Sequence, residues 1–386
     1  MPHLVFRRGA WQTRRVLLGL FSELDTPGGV QRAGRHVAAV MSEFAAGHGM
    51  ECRVLSLNDS PELHRITVGA REFVFTGSAR GKARFSATAA RAARRRAKLI
   101  VAGHPFLAPV AQGAKLFARQ AKSIVWTHGL EVWEPLSILR RHALRRADLI
   151  IAPTKDTANQ VAGQQDVPRE RIRVLRWALD PQFETLLIAK PALPANFPAG
   201  RVILTVGRWF AAERYKGMDT LITALPRLLT EWPDVQLVAV GEGDDQGWLE
   251  QIADGRGVLR HVHFLSGLTY AEIAACYQAC EIFALPSRGE GFGLVYLEAM
   301  ACGKPVIGGA HGGAPEVIDD GKTGYLVQHG DAGQLATSLE TLLVDPELGR
   351  EMGARGRERV EQEFRFNVFA KSLKKILRDL CDECES

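Results

Sequence analysis

An α/β fold of two tandem Rossmann-like domains, facing each other across a cleft, is what this 386-residue sequence predicts. Three observations lead there. Short apolar runs recur along the chain, each ending in small or polar residues and followed by a helix-like segment, the rhythm of a doubly wound parallel sheet. That rhythm breaks once, at IAKPALPANFPAG (188–200), where three prolines mark a linker. It then restarts, and the length suits two domains of roughly 100–200 residues each. The boundaries expected are 1–188 for the first domain and 189–365 for the second, with the closing helix, 366–386, packing back on the first.

The elements follow in order. RVLLGLF (15–21) reads as the first strand. The basic segment before it is not a signal peptide, because the apolar core runs only from Val16 to Phe21 and no small-residue cleavage site follows. The loop SELDTPGG leads into a helix in which Val30, Val37, Val40, Met41 and Phe44 recur at helical spacing. CRVLSL (52–57), LIVAGH (99–104), SIVWTHG (123–129) and LIIAPT (149–154) are apolar on both faces, as buried parallel strands should be. After the linker come RVILTVG (201–207), VQLVAVG (235–241), VHFLSG (262–267), IFALPS (282–287), PVIGG (305–309) and GYLVQ (324–328). The final amphipathic helix carries Phe364, Phe366, Phe369, Leu373, Ile376, Leu377 and Leu380.

Composition narrows the function classes. With 46% apolar and 24% charged residues the chain is an ordinary globular protein, and nothing approaches the 18 or more apolar residues of a membrane span. Six cysteines without scaffold spacing fit a reducing, cytoplasmic setting, and Cys381 and Cys384, though spaced as a redox pair, sit in the tail with no strand before them. Residues 1–190 carry 30 Lys and Arg against 15 Asp and Glu, the remainder 19 against 28. A basic half suggests anionic partners, with RAARRRAK (91–98) and RRHALRRAD (140–148) the densest runs; the same runs also read as solvated helix faces. Nucleic acid is disfavoured, since no aromatics interleave with these runs as a stacking surface requires.

The chemistry concentrates in SRGEGFGLVYLEAMACGKPVIGG (287–309). Gly289, Gly291 and Gly293 allow a ligand close to the backbone, and the helix that follows offers free N–H groups and a positive dipole end to a diphosphate. Glu298, inside that helix, suits a ribose diol, and Glu290 on the loop suits a sugar hydroxyl or the reacting centre. The pair also reads as two surface glutamates at a helix start. In VGRWFAAERYKGMD (206–219), Arg208 and Lys216 follow a strand and are suited to a leaving diphosphate, or else to ion pairs with neighbours such as Glu213. Asp244, Asp245, Asp319 and Asp320 read as solvated loop carboxylates, and no metal site is expected.

These stretches, with VGEGDD, FLSGL and GGAPEVI…GKTGYLV, resemble the retaining, nucleotide-sugar-dependent glycosyltransferases of family 4 (group 1), which have the GT-B fold. The resemblance covers nearly the whole chain and is densest from Gly207 to Tyr325. It implies that Arg208 and Lys216 hold the donor diphosphate, that Glu298 binds the ribose and Glu290 the donor sugar, and that amides from Phe292 through Gly293 and Leu294 to Val295 complete the cradle around Gly291. It implies further that Gly28 and Gly29 form the N-terminal glycine loop, that His128 lines the sugar pocket, and that Gly267 and Leu268 meet the nucleobase.

The function expected is therefore retaining transfer of a sugar from an NDP-sugar, UDP- or GDP-linked, to a saccharide or lipid-linked hydroxyl in bacterial surface polysaccharide, exopolysaccharide or glycolipid synthesis. No cofactor or metal is expected. The basic half suggests a polyprenyl-diphosphate-linked acceptor and peripheral contact with the inner face of the cytoplasmic membrane. Two alternatives stand beside it. A GT-B-shaped binding protein without catalysis would keep the fold alone. A dinucleotide-dependent oxidoreductase would need G-x-G-x-x-G after the first strand, where SELDTPGG stands instead.

Overall fold

The computed structural model describes residues 15–94 and 96–383, so the basic stretch before Arg15 and Cys384 of the terminal cysteine pair lie outside the described residues. The strands are β1 (Val16–Phe21), β2 (Glu51–Ser56), β3 (Leu63–Val68), β4 (Arg71–Thr76), β5 (Ala97–Ala102), β6 (Lys122–Trp126), β7 (Leu149–Ala152), β8 (Ile172–Val174), β9 (Arg201–Val206), β10 (Val235–Val240), β11 (Val262–Leu265), β12 (Ile282–Leu285), β13 (Val306–Gly309) and β14 (Gly324–Val327). The chain divides into two compact units: residues 1–152, 158–175 and 370–386 form the first, and residues 153–157 and 176–369 the second.

Unit 1 holds a sheet of order β3-β4-β2-β1-β5-β6-β7-β8. Its central strand, VLLGLF, is buried along its whole length, because helices cover both faces and a parallel strand then has no solvated side. The helix Gly29–Gly47 turns Val37, Val40, Met41 and Phe44 inward, whereas Val30 in its first turn is exposed. The closing helix Phe366–Asp382 buries Phe366, Phe369, Leu373, Ile376, Leu377 and Leu380 at three- and four-residue spacing; its first turn counts with unit 2 and the rest, from Ala370, with unit 1.

The sheet is not wholly parallel. β3 and β4 form an antiparallel hairpin joined at Gly69-Ala70, and β8 adds a short edge, three strands for which the sequence reading had no place. Phe73 and Phe75 are buried while Val74 between them is exposed, so β4 is a one-sided strand near the sheet edge rather than a two-sided apolar run.

Unit 2 holds a six-stranded parallel sheet of order β11-β10-β9-β12-β13-β14. Counted from its own first strand this is 3-2-1-4-5-6, the doubly wound order whose direction reverses between β9 and β12. The unit begins at Arg176, before the proline-rich stretch and not at residue 189, because the helix Pro181–Ala189 belongs to it: Phe183 is fully buried with its ring centroid 5.6 Å from Tyr270 and 5.7 Å from Tyr277. Asp180 caps that helix by accepting from Gln182 N at 2.8 Å. Cys276, Cys280 and Cys302 are buried in unit 2, and burial raises the first two thiols to about 12 and Cys302 further still.

Candidate active site

In unit 2 the site begins where β9 and β12 part. β9 ends at Val206, and Gly207 and Arg208 lead into the short helical turn Ala211–Lys216. Two carboxylates pin that turn. Asp244 Oδ1 accepts from Ala211 N at 2.8 Å, and buried Asp245 takes both Nε and Nη2 of Arg214 at 2.7 Å, with the guanidinium 3.7 Å from the Trp248 ring centroid. The expectation of solvated loop carboxylates is corrected here: Asp245 is a structural acceptor, held by a bidentate arginine. Asp320 likewise binds backbone, accepting from Leu326 N at 2.8 Å.

The turn closes at Gly217, whose φ of +77° and near approach to the Pro286 carbonyl (2.6 Å from where a Cβ would stand) admit no other residue without displacement. That approach joins the loops after β9 and β12. Arg288 N donates to the Tyr215 carbonyl at 2.8 Å, and Ser287 Oγ donates to the same oxygen at 3.3 Å. Lys216, Arg208 and Glu290 thereby share one electrostatic neighbourhood. Burial pushes the Glu290 carboxyl up, the Lys216 and Arg208 charges draw it down, and Glu213 pushes it up again.

Both cations meet Glu213. Arg208 Nη2 donates to Glu213 Oε1, and Lys216 Nζ lies 3.0 Å from Glu213 Oε2. The ion-pair reading of the sequence is thus the arrangement seen. Arg208 remains 64% exposed, whereas Glu213 and Lys216 are each 15% exposed, so the lysine–glutamate pair is the sheltered half of the triad.

The loop after β12 enters the helix Leu294–Ala301 through Gly293, at φ +92°. Phe292 is buried edge-on to Phe364, with ring centroids 6.0 Å apart, which anchors the loop while leaving the amides of Leu294 and Val295 at the helix start. Gly291 offers its carbonyl to Thr154 Oγ1 at 3.4 Å. Glu298, 3% exposed, accepts from Tyr270 OH at 3.1 Å and from Tyr277 OH at 2.9 Å. Tyr270 opens the helix that follows Gly267 and Leu268, so it ties the expected nucleobase loop to the expected ribose carboxylate. Gly267 has φ +69° and is exposed, and Leu268 is half-buried.

In unit 1, Gly28 caps the helix Gly29–Gly47 with φ 144°, and its carbonyl accepts from Arg32 N at 2.9 Å. His128 follows β6; its Nε2 lies 2.7 Å from the Gly103 carbonyl, which requires the proton on that nitrogen, and its backbone N–H donates to Glu131 at 2.6 Å. Its ring stacks on His104 at 5.5 Å, and burial holds His104 down to about 3, so that imidazole is neutral. His104 borders a cavity of about 690 Å³ lined also by Ser22, Asn58, Lys82, Ser86, Phe106, Ser137, Leu139 and Arg140. The basic runs that flank it do meet aromatics, with Arg140 4.1 Å from the Phe106 ring centroid and Arg94 4.4 Å from that of Phe117.

Sequence reasoning passed over Tyr270, Tyr277, His104 and Lys82, and took Arg140 only as the start of a basic run. Only the tyrosines carried a local signal: seven residues apart, they fall on one face of a helix.

Comparison with known proteins identifies the family and the fold. Residues 28–183 match Glycosyltransferase Family 4, and residues 194–359 match Glycosyl transferases group 1. A GDP-mannose-dependent α-(1-6)-phosphatidylinositol monomannoside mannosyltransferase of Mycolicibacterium smegmatis is 36% identical over 60% of this chain and 63% of its own length, a little under two thirds. The enzyme of the same description from Mycobacterium tuberculosis is 33% identical over 70% of this chain and 73% of its own. Among solved structures, sucrose-phosphate synthase from Thermosynechococcus elongatus superposes with a TM-score of 0.74 at 23% identity, covering 95% of this chain and 99% of that one. Anabaena HepE in complex with UDP gives 0.72 at 21% identity, over 95% and 100%, and at these identities the likeness is one of fold. With the family matches on both units and the mycobacterial relative over 73% of its length, the chain belongs to the family 4, group 1 glycosyltransferases.

Proposed function

We propose that this chain is a retaining glycosyltransferase that moves a sugar, mannose from GDP-mannose in the first instance, to a hydroxyl of a phosphorylated polyol or lipid-linked saccharide. The observation that carries the reading is the meeting in unit 2 of Arg208 and Lys216 with Glu290, beside a helix N-terminus whose Glu298 is held by two tyrosines. The relatives' names supply the donor, since two of them are GDP-mannose-dependent.

In this reading the bond between the anomeric carbon and the donor diphosphate breaks as the acceptor oxygen bonds to the same face of that carbon. The acceptor proton passes to the departing diphosphate oxygen. Arg208, Lys216 and the Leu294 and Val295 amides meet the charge that grows on the diphosphate, so stabilisation is largest in the transition state and no metal is required. Glu290 orients the sugar through its hydroxyls, and Glu298 orients the ribose. Orientation and charge, not a covalent intermediate, lower the barrier.

The acceptor reading rests on unit 1. Its cavity offers Lys82 and Arg140 to an anion, with Ser22, Ser86, Ser137 and Asn58 to hydroxyls. The mannosyltransferase relatives act on phosphatidylinositol mannosides by name, and a Corynebacterium aurimucosum relative is a D-inositol 3-phosphate glycosyltransferase. Among the described residues no helix is long and apolar enough to cross a membrane. Exposed Ile138 and Leu139 adjoin the arginine-rich run that starts at Arg140, which suits peripheral docking at the inner face of the cytoplasmic membrane.

Thermal melts with GDP, UDP, ADP, CDP and NAD test the donor side. Selective stabilisation by one nucleoside diphosphate, about 2.7 kcal/mol at 100 times its dissociation constant, supports the reading, and stabilisation by NAD alone overturns it. Turnover of GDP-mannose with a phosphoinositol acceptor, followed by NMR of the anomeric proton, tests retention. Loss of that turnover in a chelator, restored by Mg²⁺ or Mn²⁺, would remove the metal-free mechanism.

A further inference from the structure

We infer that Glu213 is an internal stand-in for the donor diphosphate: it holds Arg208 and Lys216 between its two oxygens, must yield them when a nucleoside diphosphate binds, and reclaims them as the product leaves. The inference rests on the reading of Arg208 and Lys216 as the diphosphate cations.

The geometry that points to it is specific to this carboxylate. Each oxygen of Glu213 serves a different cation, Oε1 the Arg208 guanidinium and Oε2 the Lys216 ammonium at 3.0 Å. Oε2 is buried yet accepts no hydrogen bond, so its link to the lysine is charge alone, without the directional bond of a permanent structural pair. The backbone beneath it departs from the surrounding turn: Glu213 has φ −115° and ψ 21°, the single non-helical residue within Ala211–Lys216. The turn on either side does not depend on it. Asp244 holds Ala211 and Asp245 holds Arg214, so Glu213 can release its cations while the loop keeps its place.

The charge of Glu213 also adds to the upward push that burial gives the Glu290 carboxyl, in the loop after β12, and the Tyr215 phenol, in its own turn. A diphosphate arriving at Arg208 and Lys216 would face that same charge. Binding is therefore an exchange of one anion for another, and the ligand keeps only the difference between the two partners of the cations. The exchange has a kinetic use. After transfer, the product diphosphate carries more charge than the donor did and would hold most strongly to two unpaired cations. A carboxylate waiting beside them shortens its stay.

The test is calorimetric titration of the full chain with GDP and UDP, and with guanosine and uridine as ligands lacking phosphate. Glu213→Gln keeps the shape and removes the charge. The nucleoside diphosphate that binds should bind about tenfold more tightly, about 1.4 kcal/mol, with its nucleoside unchanged. Glu213→Asp keeps the charge but is too short to span both cations, and should give a smaller gain. Steady-state turnover should show stronger product inhibition in Glu213→Gln. Unchanged or weaker diphosphate binding in a Gln variant that melts like the parent would overturn the inference, because a residue that merely positions the cations can only weaken binding when altered. If the Gln variant does not fold, the Asp variant decides by the same sign. Lys216→Ala separates the two levels: if it leaves diphosphate binding intact, the cation reading itself is wrong, and if it weakens binding while Glu213→Gln does not strengthen it, only the stand-in role fails.

Discussion

Glu298 shows what a buried carboxylate demands of its neighbours. At 3% exposure it would be costly without donors, and the Tyr270 and Tyr277 hydroxyls supply them. Tyr277→Phe should therefore lower stability by about 1–3 kcal/mol in urea melts, the penalty of an unsatisfied buried oxygen, and weaken nucleoside diphosphate binding by loosening the ribose contact. A variant as stable as the parent would show that Glu298 finds another partner. His104 makes the opposite kind of demand. It titrates at about 3 in the folded chain and near 6.5 when unfolded. As pH falls below 6.5 the unfolded chain takes up a proton that the folded chain refuses, so His104 withdraws stability between pH 6.5 and 3 and withdraws none above. Urea midpoints measured from pH 7 to pH 5 should fall less steeply in His104→Gln than in the parent; parallel profiles would show that the imidazole charges in place.

The loop from β12 into the helix Leu294–Ala301 depends on Gly293. An alanine there would sit at φ +92° with its Cβ 2.3 Å from the Tyr296 ring. Tyr296 cannot swing away, because it is buried and its hydroxyl donates to the Leu285 carbonyl at 2.7 Å. Gly293→Ala is expected to cost at least about 1–2 kcal/mol from backbone strain alone and to spoil the helix start as an anion site. A lower melting temperature with a reduced shift on adding GDP or UDP would confirm it, and an unchanged shift would count against these amides as phosphate ligands. The same element explains what the sequence made legible. Arg208, Lys216, Glu290 and Glu298 lie in short glycine-punctuated stretches next to apolar runs, so strand, loop and helix start could be read from neighbours in the chain. Tyr270, Tyr277 and Asp245 act on partners 28, 21 and 31 residues away, a relation that exists only once the sheet has brought β9, β10 and β12 side by side. The β3–β4 hairpin escaped for a different reason: Phe73, Val74 and Phe75 form an apolar run in which only the two phenylalanines are buried.

At the scale of the molecule, charge is divided as sharply as structure. Residues 1–190 carry 30 cations against 15 anions, and exposed Ile138 and Leu139 adjoin Arg140 and Arg141 in that half. Vesicles containing an anionic lipid should sediment the chain at about 0.1 M salt and release much of it as screening increases, and Leu139→Asp should weaken what binding remains. Equal sedimentation with neutral vesicles would leave the charge asymmetry without a membrane role. The two sheets also carry two separate sets of thiols. Cys52 lies half-buried in unit 1, whereas Cys276 and Cys280 are sealed in unit 2 with their thiolates strongly disfavoured. An alkylating reagent can reach Cys276 and Cys280 only through an opening of unit 2. Unit 2 thus contains its own clock: the rate at which these two cysteines are labelled, with and without a nucleoside diphosphate, times how often that unit comes apart and whether a ligand keeps it shut.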